Sequence, residues 1–264
     1  MGVELQAAKQ LAANLEPHAD PGRKPGESPK AGESAMPTTA GIGPEIFRFL
    51  RQLAKNNNRE WLQKNKDRYE HDVREPLLRF IEAFEPRLRK ISPYFVADPR
   101  KTGGSLFRIY RDTRFSRDKS PYKTYAGVQF RHERAKDVHA PGFYLHIQPN
   151  EAFLGVGIWH PDADTLRLLR DAIVENPAKW KRAKSAKAFT EHFELAGDSL
   201  KRAPKGYDPD HPLIEDLRRK DFIAVTKMSQ KDLVAPAFLD HFTKTCTAAK
   251  PFMRYLAEAV GLDF

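Results

Sequence analysis

Six cations and two carboxylates fall within seventeen residues of this chain, Phe107 to Lys123 (FRIYRDTRFSRDKSPYK). Arg108, Arg111, Arg114, Arg117, Lys119 and Lys123 are interrupted by Asp112 and Asp118, with Tyr110 and Tyr122 near the two ends. Arginine presents a planar fork of N–H donors that pairs bidentately with phosphate or carboxylate, and a neighbouring aspartate can hold such a fork in place. The same mixture of Arg, Lys, Tyr and Phe also provides phosphate contacts and stacking surfaces for nucleic acid. A third reading is purely architectural: Arg–Asp pairs across a long hairpin fix the loop and bind nothing, each exposed pair contributing ~0–1 kcal/mol. The candidate ligand-binding residues are therefore Arg108, Tyr110, Arg111, Asp112, Arg114, Asp118, Lys119, Tyr122 and Lys123.

A tenth candidate is His146. It alternates with Tyr144 and Gln148 on one face of a predicted strand, while Phe143, Leu145 and Ile147 take the other. Such a polar face either floors a pocket, where His146 is available as a general base, or meets solvent, the commoner outcome. Lys201, Arg202, Lys205 and Tyr207 form a second basic loop. It either closes over the same site or is ordinary exposed loop. The histidines show no metal-ligand spacing, and Cys246 is the single cysteine, so no metal and no cofactor is expected. Cys246, with no histidine within one helical turn, is expected to fill space in a C-terminal helix.

The elements that must position these residues follow from periodicity. Ile46, Phe49, Leu50 and Leu53 recur at helical spacing after Pro44, and Asn58 is placed to cap a second helix carrying Trp61, Leu62, Tyr69 and Val73. Pro76 kinks or restarts that helix, and Leu77, Ile81, Phe84, Leu88 and Ile91 mark one further face. After Gly103-Gly104 the period changes to two. Strands are predicted over 105–111, 122–132, 142–148 and 152–159, with Asp112 to Pro121 as a hairpin loop and a fifth strand over 221–228. The connections are too short for crossover helices, so the sheet is expected to be mostly antiparallel. A helix is predicted over 162–175, with Asp162 as its cap and Pro177 ending it, and further helices over 177–188, 235–248 and 251–260. The expected class is α+β: a central meander of about four to five strands flanked by N- and C-terminal helices.

Residues 1–40 read differently. Pro21 to Ala40 is rich in Pro, Gly and Ser and has no aromatic residue, which predicts a disordered leader, with Met36 as an alternative start, ahead of a single α+β domain over 41–264. The whole chain has a formal net charge of +10, which favours anionic partners without choosing among them. No apolar run approaches the ~18–20 residues of a membrane span, and the N-terminus lacks a signal-peptide pattern. A cytoplasmic protein is expected, without a membrane partner and with its oligomeric state open.

The blocks NNNREWLQKNKDRYE, FRIYRDTRFSRDKSPYKTY, FYLHIQP, LGVGIWHPDADTLRLLRDAI, LKRAPKGYDPDHP and LRRKDF together resemble the bacterial and fungal family known as domain of unknown function 2461. The resemblance spans about residues 42–262 and implies one intracellular domain with no assigned activity. The matching motif residues are the candidates from Arg108 to Lys123 together with Phe115 and Pro121. The expected function is thus a conserved protein that binds an anionic ligand, phosphate- or carboxylate-bearing, through the hairpin at 107–123. The alternatives are a nucleic-acid-binding module and a protein-interaction domain whose Arg/Asp cluster is structural. Whether it is an enzyme stays open.

Overall fold

The apolar spacing at the start of the folded part produces the helix it predicts. Helix α1, Glu45–Lys55, buries Ile46, Phe47, Phe49, Leu50 and Leu53. The computed structural model of the chain describes residues 41–114, 116–134 and 140–264. The leader and its alternative start at Met36 lie outside the described residues, as does Phe115.

Three consecutive asparagines connect α1 to the next helical run, and each does a different job. Asn56 Nδ2 donates to the Gln52 carbonyl at 2.9 Å, satisfying a terminal acceptor of α1. Asn58 Oδ1 accepts from Trp61 N–H at 2.9 Å and caps α2, Arg59–Lys64, as its sequence position predicts. Asn57 reaches out of the helices altogether, as described below. Helix α3, Lys66–Tyr69, runs into a π-helical turn, Glu70–Arg74, and then into α4, Glu75–Ile91. Pro76 sits in the first turn of α4, so it restarts the helix where its missing N–H is harmless.

The sheet has six strands, all pairs antiparallel, in the order β1-β2-β3-β4-β6-β5. Three long central strands carry it: β3 (Gly142–Gln148), β4 (Glu151–Ile158) and β6 (Phe222–Met228), with β2 (Ala126–His132) beside β3. The edges are β1 (Phe95–Val96) and β5 (Glu194–Ala196). These two short strands raise the number above the expected four to five. The predicted strand over 105–111 is a correction: it is extended but makes isolated bridges only, Leu106 with Val128 and Tyr110 with Tyr122. Between those bridges three residues, Phe107 to Ile109, face five, Lys123 to Gly127, so the ladder bulges and no regular strand forms. Regular pairing in β2 accordingly begins at Ala126 and not at Tyr122.

One sheet face packs on helices. Phe84 of α4 meets Phe130 of β2, and Phe80 beside it meets Phe238 and Phe242 of α10, Phe238–Ala248, closing the cluster. Further along, Trp180 of α6 (Pro177–Ser185) contacts Phe222 of β6, and Phe252 and Tyr255 of α11 (Lys250–Ala259). Helix α5, Ala163–Glu175, begins at the predicted cap, Asp162. The remaining helices are short: α7 (Lys187–Thr190), α8 (Ile214–Leu217) and α9 (Gln230–Val234). A single cluster of buried apolar side chains runs from Ile42 to Leu256. Cys246 lies within it, its thiol pushed up by burial, as the space-filling reading expects.

The opposite sheet face is covered too. Tyr144, Phe153, Trp159, Ile223 and Val225 form a second buried cluster, with Phe107 packed against it. Gly157 lies on this face at φ +119°, and a Cβ there would stand 2.1 Å from the Phe222 carbonyl oxygen. Gly206 also has positive φ, +91°, but open space around it. Gly157→Ala is therefore expected to cost about 3 kcal/mol or more in urea denaturation, and Gly206→Ala about 1 kcal/mol, since only the first adds a backbone collision to the strain.

Candidate functional site

The segment 107–123 is a hairpin, as the sequence predicts, closed by Arg111 N–H to the Pro121 carbonyl at 3.0 Å and Lys123 N–H to the Ile109 carbonyl at 2.7 Å. Much of its charge is spent within the loop. Arg111 pairs with Asp118. Arg114 forks onto Asp112, with Nε to Oδ1 at 3.0 Å and a second guanidinium nitrogen to Oδ2 at 2.6 Å. Lys119 Nζ donates to the Thr113 carbonyl at 2.9 Å. The hydroxyl and N–H of Ser120, followed by the Arg111 guanidinium, hold the Asp118 carboxyl well below the usual carboxylate range. Arg114, Asp118 and Lys119 are exposed, Arg114 at 76% of its side chain, so the pairs shape the loop more than they stabilise the fold.

One wall of a cleft is built from the other end of this hairpin. Ile109, Tyr110, Arg111, Pro121 and Tyr122 face the helical run of α2, α3 and the π turn across a cavity of about 530 Å³. The helical wall contributes Arg59, Lys66 and Arg74, with Tyr69 below them and Glu70 as the carboxylate among the lining residues. Arg74 donates to both Glu70 oxygens at 2.7 and 2.9 Å and lies 5.2 Å from the Tyr69 ring centre. Burial, partly offset by Arg74, raises the Tyr69 phenol, and burial raises that of Tyr122. The cleft thus holds four cations against one carboxylate, with three tyrosines.

Asn57 locks the two walls together. Its Nδ2 donates to the Tyr122 carbonyl at 2.9 Å, and its Oδ1 accepts from the Tyr122 N–H at 3.1 Å. One side chain thereby occupies both backbone groups of a residue 65 positions away. Tyr122 in turn holds Tyr110, ring centres 5.4 Å apart.

Of the ten candidates, Tyr110, Arg111 and Tyr122 line the cleft. Arg108, Asp112, Arg114, Asp118 and Lys119 do not; they lie on the loop or its outer side. Lys123 and His146 belong to the far side of the hairpin, against the sheet. There Lys123 Nζ stands 5.2 Å from the Phe107 ring centre and 5.8 Å from that of Tyr125. His146 is fully buried, which corrects the expectation of a polar face turned to solvent or to a pocket. Its ring is stacked between Tyr125, at 4.7 Å, and Phe153, at 4.8 Å. Nε2–H donates to Gln148 Oε1 at 3.2 Å, which leaves Nδ1 to accept from the Tyr144 hydroxyl at 3.1 Å. Burial pushes its pKa down to about 4, against the opposing effect of the hydrogen bond it donates to Gln148. The imidazole is neutral, enclosed and saturated, a structural group. Arg111 links the two regions: it lines the cleft, and its charge acts on the buried Tyr125 phenol.

The helical residues of the cleft were not singled out from sequence. The signal was present: Arg59, Lys66, Glu70 and Arg74 are spaced by seven, four and four, one side of a helix. The second basic loop is an ordinary one: the Tyr207 hydroxyl donates to Asp171 of α5 at 2.8 Å, away from the cleft. A second cavity, of about 490 Å³, lies between α6 and α11 and also carries cations, among them Arg182 and Lys250, around a floor of alanines; it shares no residue with the hairpin. Among the described residues no cluster of three or more His, Cys, Asp or Glu is arranged to hold a metal ion, and no helix is long and apolar enough to cross a membrane.

Residues 45–255 match the model of the conserved hypothetical protein family DUF2461. The chain belongs to this family. Neither the curated proteins nor the solved structures give a match. The matched range includes both walls of the cleft and the whole sheet.

Two measurements check this account. Asn57→Ala removes the donor and the acceptor that hold Tyr122, and is expected to lower stability by about 1–3 kcal/mol in thermal or urea unfolding. For His146 the folded pKa lies below the unfolded value of ~6.5, so the unfolded chain takes up the proton first. Its contribution is intact above about pH 6.5 and is lost as pH falls toward 4. Between pH 7 and pH 4.5 the stability of the protein relative to His146→Gln should fall by about 2 kcal/mol; a pH-independent difference would mean that the imidazole is not buried neutral.

Proposed function

We propose that the cleft between the helical run 59–74 and the hairpin 109–122 binds an anionic, phosphate- or carboxylate-bearing small molecule. The observation that carries this reading is the convergence of Arg59, Lys66, Arg74 and Arg111, from two separate elements, on one cavity with Glu70 as the carboxylate. Arg74 is paired with Glu70 and Arg111 with Asp118, which offsets part of the repulsion among the four; the rest opposes their assembly. Here the walls are held together by Asn57, so the cost of assembling like charges is met by the fold and not by the ligand. The volume is in the range of small-molecule sites. A concave, clamped cleft also favours a small ligand over a nucleic-acid strand, which needs a continuous basic groove along its backbone.

The site therefore sits at the base of the hairpin, shared with the helices, and the outer loop from Asp112 to Lys119 serves to orient Arg111 through Asp118. Arg111→Lys keeps the charge and loses the fork. It is expected to weaken binding of inorganic phosphate about tenfold or more, measured by calorimetry at low salt, with little change in melting temperature. Arg59→Gln and Lys66→Gln, at exposed positions, should weaken it further without destabilising the fold. Absence of phosphate and carboxylate binding to the intact protein, or unchanged affinity in all three variants, overturns the reading.

A further inference from the structure

We infer that the ligand of this cleft is a planar aromatic phosphate of the nucleoside monophosphate class, with Tyr110 as the stacking surface for its ring; the inference rests on the anion-binding reading above. Tyr110 is 55% exposed, the most exposed of the large apolar side chains left in solvent among the described residues. Exposed aromatic area of this size costs free energy in water unless something covers it. The other exposed large apolar residues, Val96, Leu168 and Val174, line neither described cavity; Tyr110 lines the cationic cleft.

Its ring is also held in place. The Tyr110–Tyr122 bridge pairs the two backbones, the Tyr122 ring meets that of Tyr110 at an interplanar angle of 59°, and Asn57 fixes Tyr122 from the other wall. A tyrosine constrained in this way offers a face at little further loss of side-chain entropy. The cations beside it suit a phosphate. Glu70, held by Arg74 and able only to accept hydrogen bonds, repels phosphate and suits sugar hydroxyls. Ring, hydroxyls and phosphate in one molecule describe a nucleoside monophosphate, and about 530 Å³ is room for one such molecule.

The test is calorimetric titration of the full chain at fixed low salt with adenosine monophosphate, ribose 5-phosphate and inorganic phosphate. Stacking on one aromatic side chain predicts that adenosine monophosphate binds roughly five- to a hundredfold more tightly than ribose 5-phosphate. Tyr110→Leu should erase that difference, while Tyr110→Trp keeps it. The adenine proton resonances should move upfield on binding to the protein and not on binding to Tyr110→Leu. Equal affinity for ribose 5-phosphate and adenosine monophosphate overturns this inference and leaves anion binding standing. Failure of all three probes, inorganic phosphate included, removes both. Affinity that rises steeply with the length of an oligoadenylate also overturns it, by assigning the surface to a single strand.

Discussion

The carboxamide of Asn57 is the contact on which the candidate site depends. A helical run and a hairpin far apart in sequence have no shared ladder and meet through side chains. Asn57 supplies what a ladder would: a donor and an acceptor at once, to the two backbone groups of one residue, Tyr122. Because the neighbouring Asn56 ends α1 and Asn58 begins α2, the backbone around Asn57 is fixed on both sides before its side chain reaches across. Rigidity at 56–58 is thereby passed to Tyr122, from Tyr122 to Tyr110, and from the hairpin base to Arg111.

Charge in the hairpin is divided by depth. At the tip, Arg114, Lys119 and Asp118 find partners within a few residues, and water screens what is left. At the base, Arg111 points both ways, toward the cleft and toward Tyr125. On the far side of the hairpin the sheet face is shut by the stack of Tyr125, His146 and Phe153. The buried imidazole there stays neutral and adds no charge of its own.

Much of the architecture was legible in the residues. Apolar spacing marked α1, α4 and α5, the Asn58 and Asp162 caps fell where their types predict, and the alternation in β3 put Phe143, Leu145 and Ile147 on the helical side. Three things were not legible. Strands of two and three residues, β1 and β5, are too short to show a period. The irregular arms of the hairpin arise from unequal lengths between two bridges, which depend on pairing and not on composition. The burial of His146 comes from Tyr125 and Phe153 on other segments, so no reading of its own strand could distinguish it from a solvent-facing histidine. The cleft was half seen: the hairpin stood out by charge density, while Arg59, Lys66 and Arg74 looked like an ordinary polar helix side until the fold set them opposite it.

The short margins of the sheet have a consequence for how this protein meets others. The four strands of seven or eight residues, β2, β3, β4 and β6, are interior, each with a neighbour on both sides. The outermost strands are two and three residues long, and the first half of β2 is shielded by the bridge from Leu106. Among the described residues, the margins of the sheet offer an incoming extended peptide little free backbone on which to add itself as a seventh strand. The described edges of this sheet are thus poor templates for fibre growth.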